Sequence, residues 1–232
     1  MKTSGRAVWI SIALCLVGVI LIWRPLISHS QGTLEISFLD VGQGDAIFIE
    51  SPSGRQVLID GGRDRSVLRE LGAVMPWSDR SIDVLIATHP DADHLNGLID
   101  VIDRYDIGHL FESGVSSDSP GAAAFEEVAV REGAERHLAR RGQVIDLGDG
   151  AYIEILFPDR DVSGLETNTA SIVARMVYGD TSVLLTGDAP SSIERYLLAL
   201  DAESLASDVL KAGQHGSKTS SDPLFVEAVS PE

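Results

Sequence analysis

Two histidines and two aspartates fall within six consecutive residues, HPDADH (89–94), directly after the apolar run DVLIAT (83–88). Imidazole nitrogens and carboxylate oxygens are donors for divalent cations of the zinc and manganese kind. Alternate residues of an extended turn point the same way. His89, Asp91 and Asp93 are therefore expected to converge on one point, with His94 on a second a few ångströms away. Ligands delivered in that manner suit a pair of metal ions about 3.5–4 Å apart. The competing reading makes Asp91 or Asp93 the N-cap of a following helix and leaves the histidines solvated. That accounts for one carboxylate and gives the other three groups no role, and like charges gathered at one turn repel without a cation. The single cysteine, Cys15, excludes an intramolecular disulfide and a zinc site of several thiolates. Any metal must be held by His, Asp, Glu or Asn.

The elements that would position these residues are short apolar runs broken by Gly, Asp and Pro. Strands are predicted at TLEISFL (33–39), AIFIE (46–50) and QVLID (56–60), with the turn DVGQGD between the first two and SPSG before the third. DVLIAT is a continuous apolar strand of the kind buried on both faces. Leu95, Leu98, Ile99 and Ile102 then recur at helical spacing. Further strands are predicted at 107–111, 151–158, 169–178, 181–187 and 207–213, with a hairpin at Gly179-Asp180. Helices are predicted at 64–74, 119–133, 190–200 and 222–229, and loops at 112–122 and 159–168. Strands that meander first and then alternate with helices suggest a layered α/β domain over residues 31–232, with polar clusters at strand ends where such folds place ligands.

Composition narrows the function classes. The 232 residues are 44% apolar and carry a net charge of −17, with no acidic residue before Glu35. An acidic body gains little from phosphate counterion release, which argues against a nonspecific nucleic-acid coat protein. Residues 7–23 are uncharged and lie between Arg6 and Arg24. At 1.5 Å per residue such a run covers about 25 Å, so residues 1–30 are expected to be a membrane anchor, or a signal segment if Ser28-His29-Ser30 is cleaved. The expectation is a single-pass cell-membrane protein with its body outside the cytoplasm, secreted if the segment is removed.

HPDADH resembles the H-x-[HD]-x-D-H signature of the metallo-β-lactamase fold. FLDVGQGDAIFIESPSGRQVLIDGG, LIATHPDADHLNGL, VYGDTSVLLTGDA and SDVLKAGQHGSKTSS, in that order, resemble the C-terminal metallo-hydrolase domain of ComEC-type competence proteins. The resemblance implies a four-layer αββα sandwich preceded by one N-terminal hydrophobic helix. It implies metal ligands at His89, Asp91, Asp93, His94, Asn168, Asp188 and His215, with Asp188 bridging two divalent ions, zinc or manganese. Asp60 would buttress the metal loop, Asp40 and Asp45 would order loops nearby, and Asp93 and His215 would serve catalysis. Relatives usually carry a histidine where this chain has Gln214 and continue past Pro231 to a Gly-His-Pro motif, so the sandwich is expected to be truncated at its C-terminus. Ser217, Lys218 and Thr219 are read either as phosphate contacts or as a solvated loop. His29, His109 and His137 match nothing in the pattern and are read as structural or exposed.

The activity so implied is a binuclear metal-dependent hydrolase in which a metal-bridging hydroxide attacks a phosphodiester, single-stranded DNA among the candidates. The alternatives are lactam or ester hydrolysis, against which Asp91 and Asn168 speak, and a catalytically impaired binding or scaffold protein, which Gln214 and the acidic surface favour.

Overall fold

The computed structural model describes residues 9–18 and 32–232. Residues 9–18 form helix α1. The rest folds as two sheets with helices on both outer faces. In the first sheet β1 (Glu35–Phe38), β2 (Ile47–Glu50) and β3 (Gln56–Ile59) pair antiparallel, and β4 (Ser81–Ala87), β5 (Asp106–Glu112) and β6 (Glu135–Leu138) continue in parallel. The second sheet runs β11 (Val209–Lys211), β10 (Thr181–Leu185), β9 (Val173–Tyr178), β8 (Ala151–Phe157), β7 (Val144–Asp146), with only β10 and β11 parallel.

Side-chain alternation along the strands sets the layers. In the first sheet Ile47, Ile49, Val57, Ile59, Val84 and Ile86 face inward and meet Ile153, Ile155, Ala174, Met176 and Leu185 of the second. The intervening Phe48, Leu58 and Leu85 face outward and are covered by α2 (Ser66–Val74), α3 (Ala92–Ile102) and α4 (Pro120–Glu132). On the opposite side Phe157, Val173 and Leu184 are covered by α5 (Ser191–Asp201) and α6 (Pro223–Val229). Both parities of β4 are apolar because both of its faces are buried, and each such side chain contributes roughly 1.5–3 kcal/mol. The helices stop where their sequences say they should. Ser119 accepts from the Ala122 amide ahead of Pro120, and α4 ends on Gly133 at φ 83°.

The expected sandwich is present. Strands β6 and β7 were not anticipated, being only four and three residues long (ERHL and VID), the first of them largely polar. The expected membrane-spanning localisation is corrected: among the described residues no helix is long and apolar enough to cross a membrane. Ten helical residues at 9–18 rise about 15 Å, half the hydrocarbon thickness. The remainder of the apolar run that suggested an anchor lies outside the described residues, as does His29.

Candidate metal centre

One end of the sandwich collects the polar loops. Asp60, His89, Asp188 and His215 follow the C-terminal ends of β3, β4, β10 and β11, while Asp45 and Asn168 precede β2 and β9, which run the other way. Backbone bonds tie the loops together. Asp45 N donates to Asp93 O at 3.2 Å, Gly61 N to His94 O at 2.7 Å, and Ile172 N to Thr88 O at 3.1 Å, the last joining the two sheets. Two glycines allow the approach. A Cβ on Gly44, at φ +119°, would sit 1.9 Å from Asp93 O, and one on Gly97 would sit 1.8 Å from Gly61 O.

Beneath the site a buried hydrogen-bond chain sets the imidazoles. Asp60, 1% exposed and at φ 59°, accepts the Thr88 amide at 2.8 Å and the Thr88 hydroxyl at 2.7 Å. Its Oδ2 also lies 2.8 Å from His94 Nδ1. An ionised carboxylate only accepts, so His94 Nδ1 must carry a proton. Thr88 has spent its one hydrogen on Asp60, so its oxygen accepts from His89 Nδ1 at 3.0 Å. Both histidines are thereby turned with Nε2 toward the loops. His89 Nε2 and His94 Nε2 are buried without a hydrogen-bond partner, as is Asn168 Oδ1.

Around those nitrogens stand the carboxylates. Asp91 Oδ2 lies 3.8 Å from His89 Nε2. Asp188 Oδ2 lies 3.4 Å from His94 Nε2 and 3.5 Å from His215 Nε2, and Asp93 Oδ2 is 3.7 Å from His215 Nε2. Asp45 reaches His215 Nδ1 at 3.4 Å and is ion-paired with Lys211. Lys211 Nζ also donates to Gly187 O at 2.8 Å and stands 3.8 Å from Asp188. Burial lowers the basicity of His89, and the neighbouring His94 lowers it further. Burial opposes a charge on His94 too, but the Asp60 and Asp188 carboxylates outweigh it and lift that imidazole to about 10. Burial likewise pushes the Asp188 carboxyl up, yet His94, Lys211 and His215 hold it far below the usual carboxylate range.

The structure thus draws together His89 with Asp91, and Asp93 with His94, Asp188, His215 and Asp45. Asn168 opens a 3-10 turn (Asn168–Ala170) that leads into Ser171, whose hydroxyl accepts the Asp188 amide at 3.2 Å. Three expectations change. Asp93 does not extend the His89–Asp91 alternation, because the chain is already helical from Ala92 and turns its carboxylate toward His215. Asp45 belongs to the cluster itself, whereas Asp40 is exposed and does no more than accept the Gly42 amide at 3.4 Å through its side chain. The competing capping role also falls away, since Asp91 occupies the N-cap of α3 without a side-chain cap bond.

Gln214 takes the place of the absent histidine without taking its chemistry. Its backbone amide donates to Asp188 Oδ1 at 3.2 Å, while its side-chain oxygen accepts the Thr219 hydroxyl. Gln214 and His215 hold φ of 46° and 52°, a strained pair that lifts the His215 ring over the carboxylates. Ser217, Lys218 and Thr219 are exposed beyond it. Sequence reading missed Lys211 and Thr88. Each sits at the end of an apolar strand, and no local signal marks it.

The donor set fits divalent cations. Two partnerless buried imidazole nitrogens face the carboxylates of Asp91 and Asp188, and Lys211 is the lysine that stands among the acidic groups. Burying such charge unneutralised is costly. One subset, Asp45, His94, Asp188 and His215, offers ligand atoms all within 4.8 Å of one another.

Comparison with known proteins identifies the family and the fold. The family model of the metallo-beta-lactamase superfamily matches residues 39–232. ComE operon protein 3 of Bacillus subtilis (strain 168) is 28% identical over 240 residues, covering 94% of this chain and 30% of that protein. Competence protein ComA of Neisseria gonorrhoeae is 30% identical over 201 residues, covering 85% of this chain and 26% of that protein. The chain therefore spans under a third of the length of these relatives. Among solved structures, the metallo-beta-lactamase fold protein YhfI from Bacillus subtilis aligns with a TM-score of 0.55 at 14% identity, over 85% of this chain and 82% of that one.

Proposed function

We propose that this chain, which belongs to the metallo-β-lactamase superfamily, hydrolyses phosphodiesters with two divalent ions held at the loop end of its sandwich. The reading rests on one observation: His89 Nε2 and His94 Nε2, buried and without partners, face Asp91 and Asp188. Bound divalent ions would supply an activated water nucleophile at neutral pH and stabilise charge on the attacked centre. His89, Asp91 and Asn168 would hold one ion and Asp93, His94 and His215 the other, with Asp188 between them. Ligands weighted to oxygen shift preference from zinc toward manganese.

The remaining residues orient and shield. Asp60 and Thr88 fix both imidazole tautomers, as groups behind metal ligands commonly do. A cleft of about 350 Å³ opens beside His89, walled by Glu112–Ser117 and α4, and offers room for the substrate next to the ligands. Relatives that include a competence protein favour DNA, single-stranded DNA among the candidates.

The test is cleavage of a bis-aryl phosphodiester and of single-stranded DNA by the full chain in zinc, manganese and magnesium. Turnover is expected with at least one ion and is lost in Asp93→Ala. No turnover with any of the three overturns the reading. Absence of bound metal would point instead to a scaffold, and cleavage confined to a lactam such as nitrocefin to the other hydrolytic chemistry.

A further inference from the structure

His109 and His137 take no part in the centre described above, yet the fold brings them together. Parallel pairing of β5 and β6 places His109 opposite Glu135 and Phe111 opposite His137. Side chains two apart on a strand share a face, so all four lie on one side of the sheet. It is the inward side, because His109 pairs with Val84 and Phe111 with the inward-facing Ile86. The second sheet does not cover them fully there. A groove of about 430 Å³ separates them from β7 and is lined also by Asp83, Asp146 and Arg55. Along β4, Val84 lies five residues before His89, roughly 16 Å at strand rise, so the groove is separate from the centre above.

We propose that His109, Glu135 and His137 form a surface site for a divalent transition metal of the zinc and copper class, which clamps the edge strand β6 to β5. His109 Nδ1 and His137 Nε2 are 3.1 Å apart. Glu135 brings one oxygen to 3.6 Å from His109 Nδ1 and the other to 3.7 Å from His137 Nε2. Zinc–nitrogen bonds of about 2.0–2.1 Å at tetrahedral angles put ligand atoms roughly 3.3–3.4 Å apart. The three observed edges bracket that value, so one ion is accommodated by side-chain shifts of a few tenths of an ångström. Phe111 stacks on the His137 ring at 4.7 Å between centroids and 23° between planes, which restricts the ring. Two imidazoles and a carboxylate are a borderline donor set that prefers zinc or copper to magnesium or calcium. Asp83 and Asp146 add negative potential, while the Arg55 guanidinium is engaged by the Asp146 carbonyl at 2.6 Å. The remaining coordination positions face the groove and are open to water or to a ligand seated there.

β6 has four residues and one neighbouring strand, so its amides report the clamp. Zinc binding to untagged full chain is measured by equilibrium dialysis for wild type and for the double variant His109→Ala/His137→Ala. The double variant is expected to bind one equivalent fewer at the same free zinc, with phosphodiester turnover unchanged. Hydrogen exchange of residues 135–138 should slow about elevenfold in wild type at free zinc ten times the dissociation constant, and not at all in the double variant. Equal stoichiometry in the two proteins, or no zinc-dependent protection of β6, overturns the proposal. Should the double variant fail to fold, Glu135→Gln at this exposed position serves instead. It should weaken the site at least about tenfold, since even groups behind a ligand are worth ten- to hundredfold. Unchanged affinity in Glu135→Gln would be equally fatal.

Discussion

Thr88→Val tests the buried chain that aims both imidazoles. Valine keeps the branched shape and the methyl group, so packing at this 3% exposed position is preserved and only the hydroxyl is lost. Asp60 then loses the 2.7 Å hydrogen bond to its Oδ2, and His89 Nδ1–H loses its acceptor at 3.0 Å. A hydrogen bond to a charged group is worth about 1.5–3 kcal/mol, and a stranded buried donor costs about 1–3 kcal/mol. Because one hydroxyl serves both partners, the effects overlap, and the expected destabilisation is about 3 kcal/mol. Free space among Asp45, Asp60, Thr88 and Lys211 is only about 10 Å³, at the lower limit of what one water needs, and valine adds none, so solvent is not expected to restore the bonds. Freed of its acceptor, His89 can also place its proton on Nε2, which removes the lone pair from the metal side. Metal affinity should therefore fall roughly 10–100-fold. Thr88→Ser is the control: it keeps the hydroxyl and loses one methyl, about 1 kcal/mol. The assay is urea unfolding in chelator, followed by competition for metal with an indicator dye. Equal stability and equal metal affinity in the Val and Ser variants would refute the assignment of hydrogen bonds.

Gly44→Ala should destroy the site from outside it. Its Cβ would lie 1.9 Å from Asp93 O at a backbone angle that disfavours side chains, so the first turn of α3 must move. Destabilisation of about 3 kcal/mol or more is expected, with metal binding lost, and near-native stability and binding in that variant would show that the loop is free to yield. A third prediction concerns pH in the metal-free protein. His94 is raised to about 10 from an unfolded value near 6.5, so its contribution is complete below about 6.5 and disappears as pH rises through about 10. Stability in chelator should drop by up to about 1.4 kcal/mol per pH unit between pH 7 and 10, and His94→Gln should flatten the slope. A wild-type profile that is flat over that interval would sink the argument.

Much of the fold was legible in the chain because its signals are local. Runs such as DVLIAT and AYIEILF announce strands, and Leu95, Leu98, Ile99 and Ile102 announce a helix. The turn Gly179-Asp180 closes the β9–β10 hairpin as read, with Tyr178 opposite Thr181. What failed was short. β6 and β7 draw their order from neighbours rather than from their own sequences. A membrane-spanning helix was read from hydropathy alone, and among the described residues none qualifies.

The candidate site divides in the same way. HPDADH declares itself, since four donors in six residues have few other uses, and the sequence by itself determined that cations are wanted near the end of β4. Which partners complete the cluster was decided only by tertiary structure. Asp45 meets Lys211, 166 positions later, because β2 starts where β11 ends and two sheets close over one another. Asp93 leaves the alternation of its neighbours because a helix has begun, and Gln214 shows its amide rather than its side chain because φ is positive there. Spacing fixes a direction over a few residues, whereas distance across a sandwich depends on packing that no short stretch encodes.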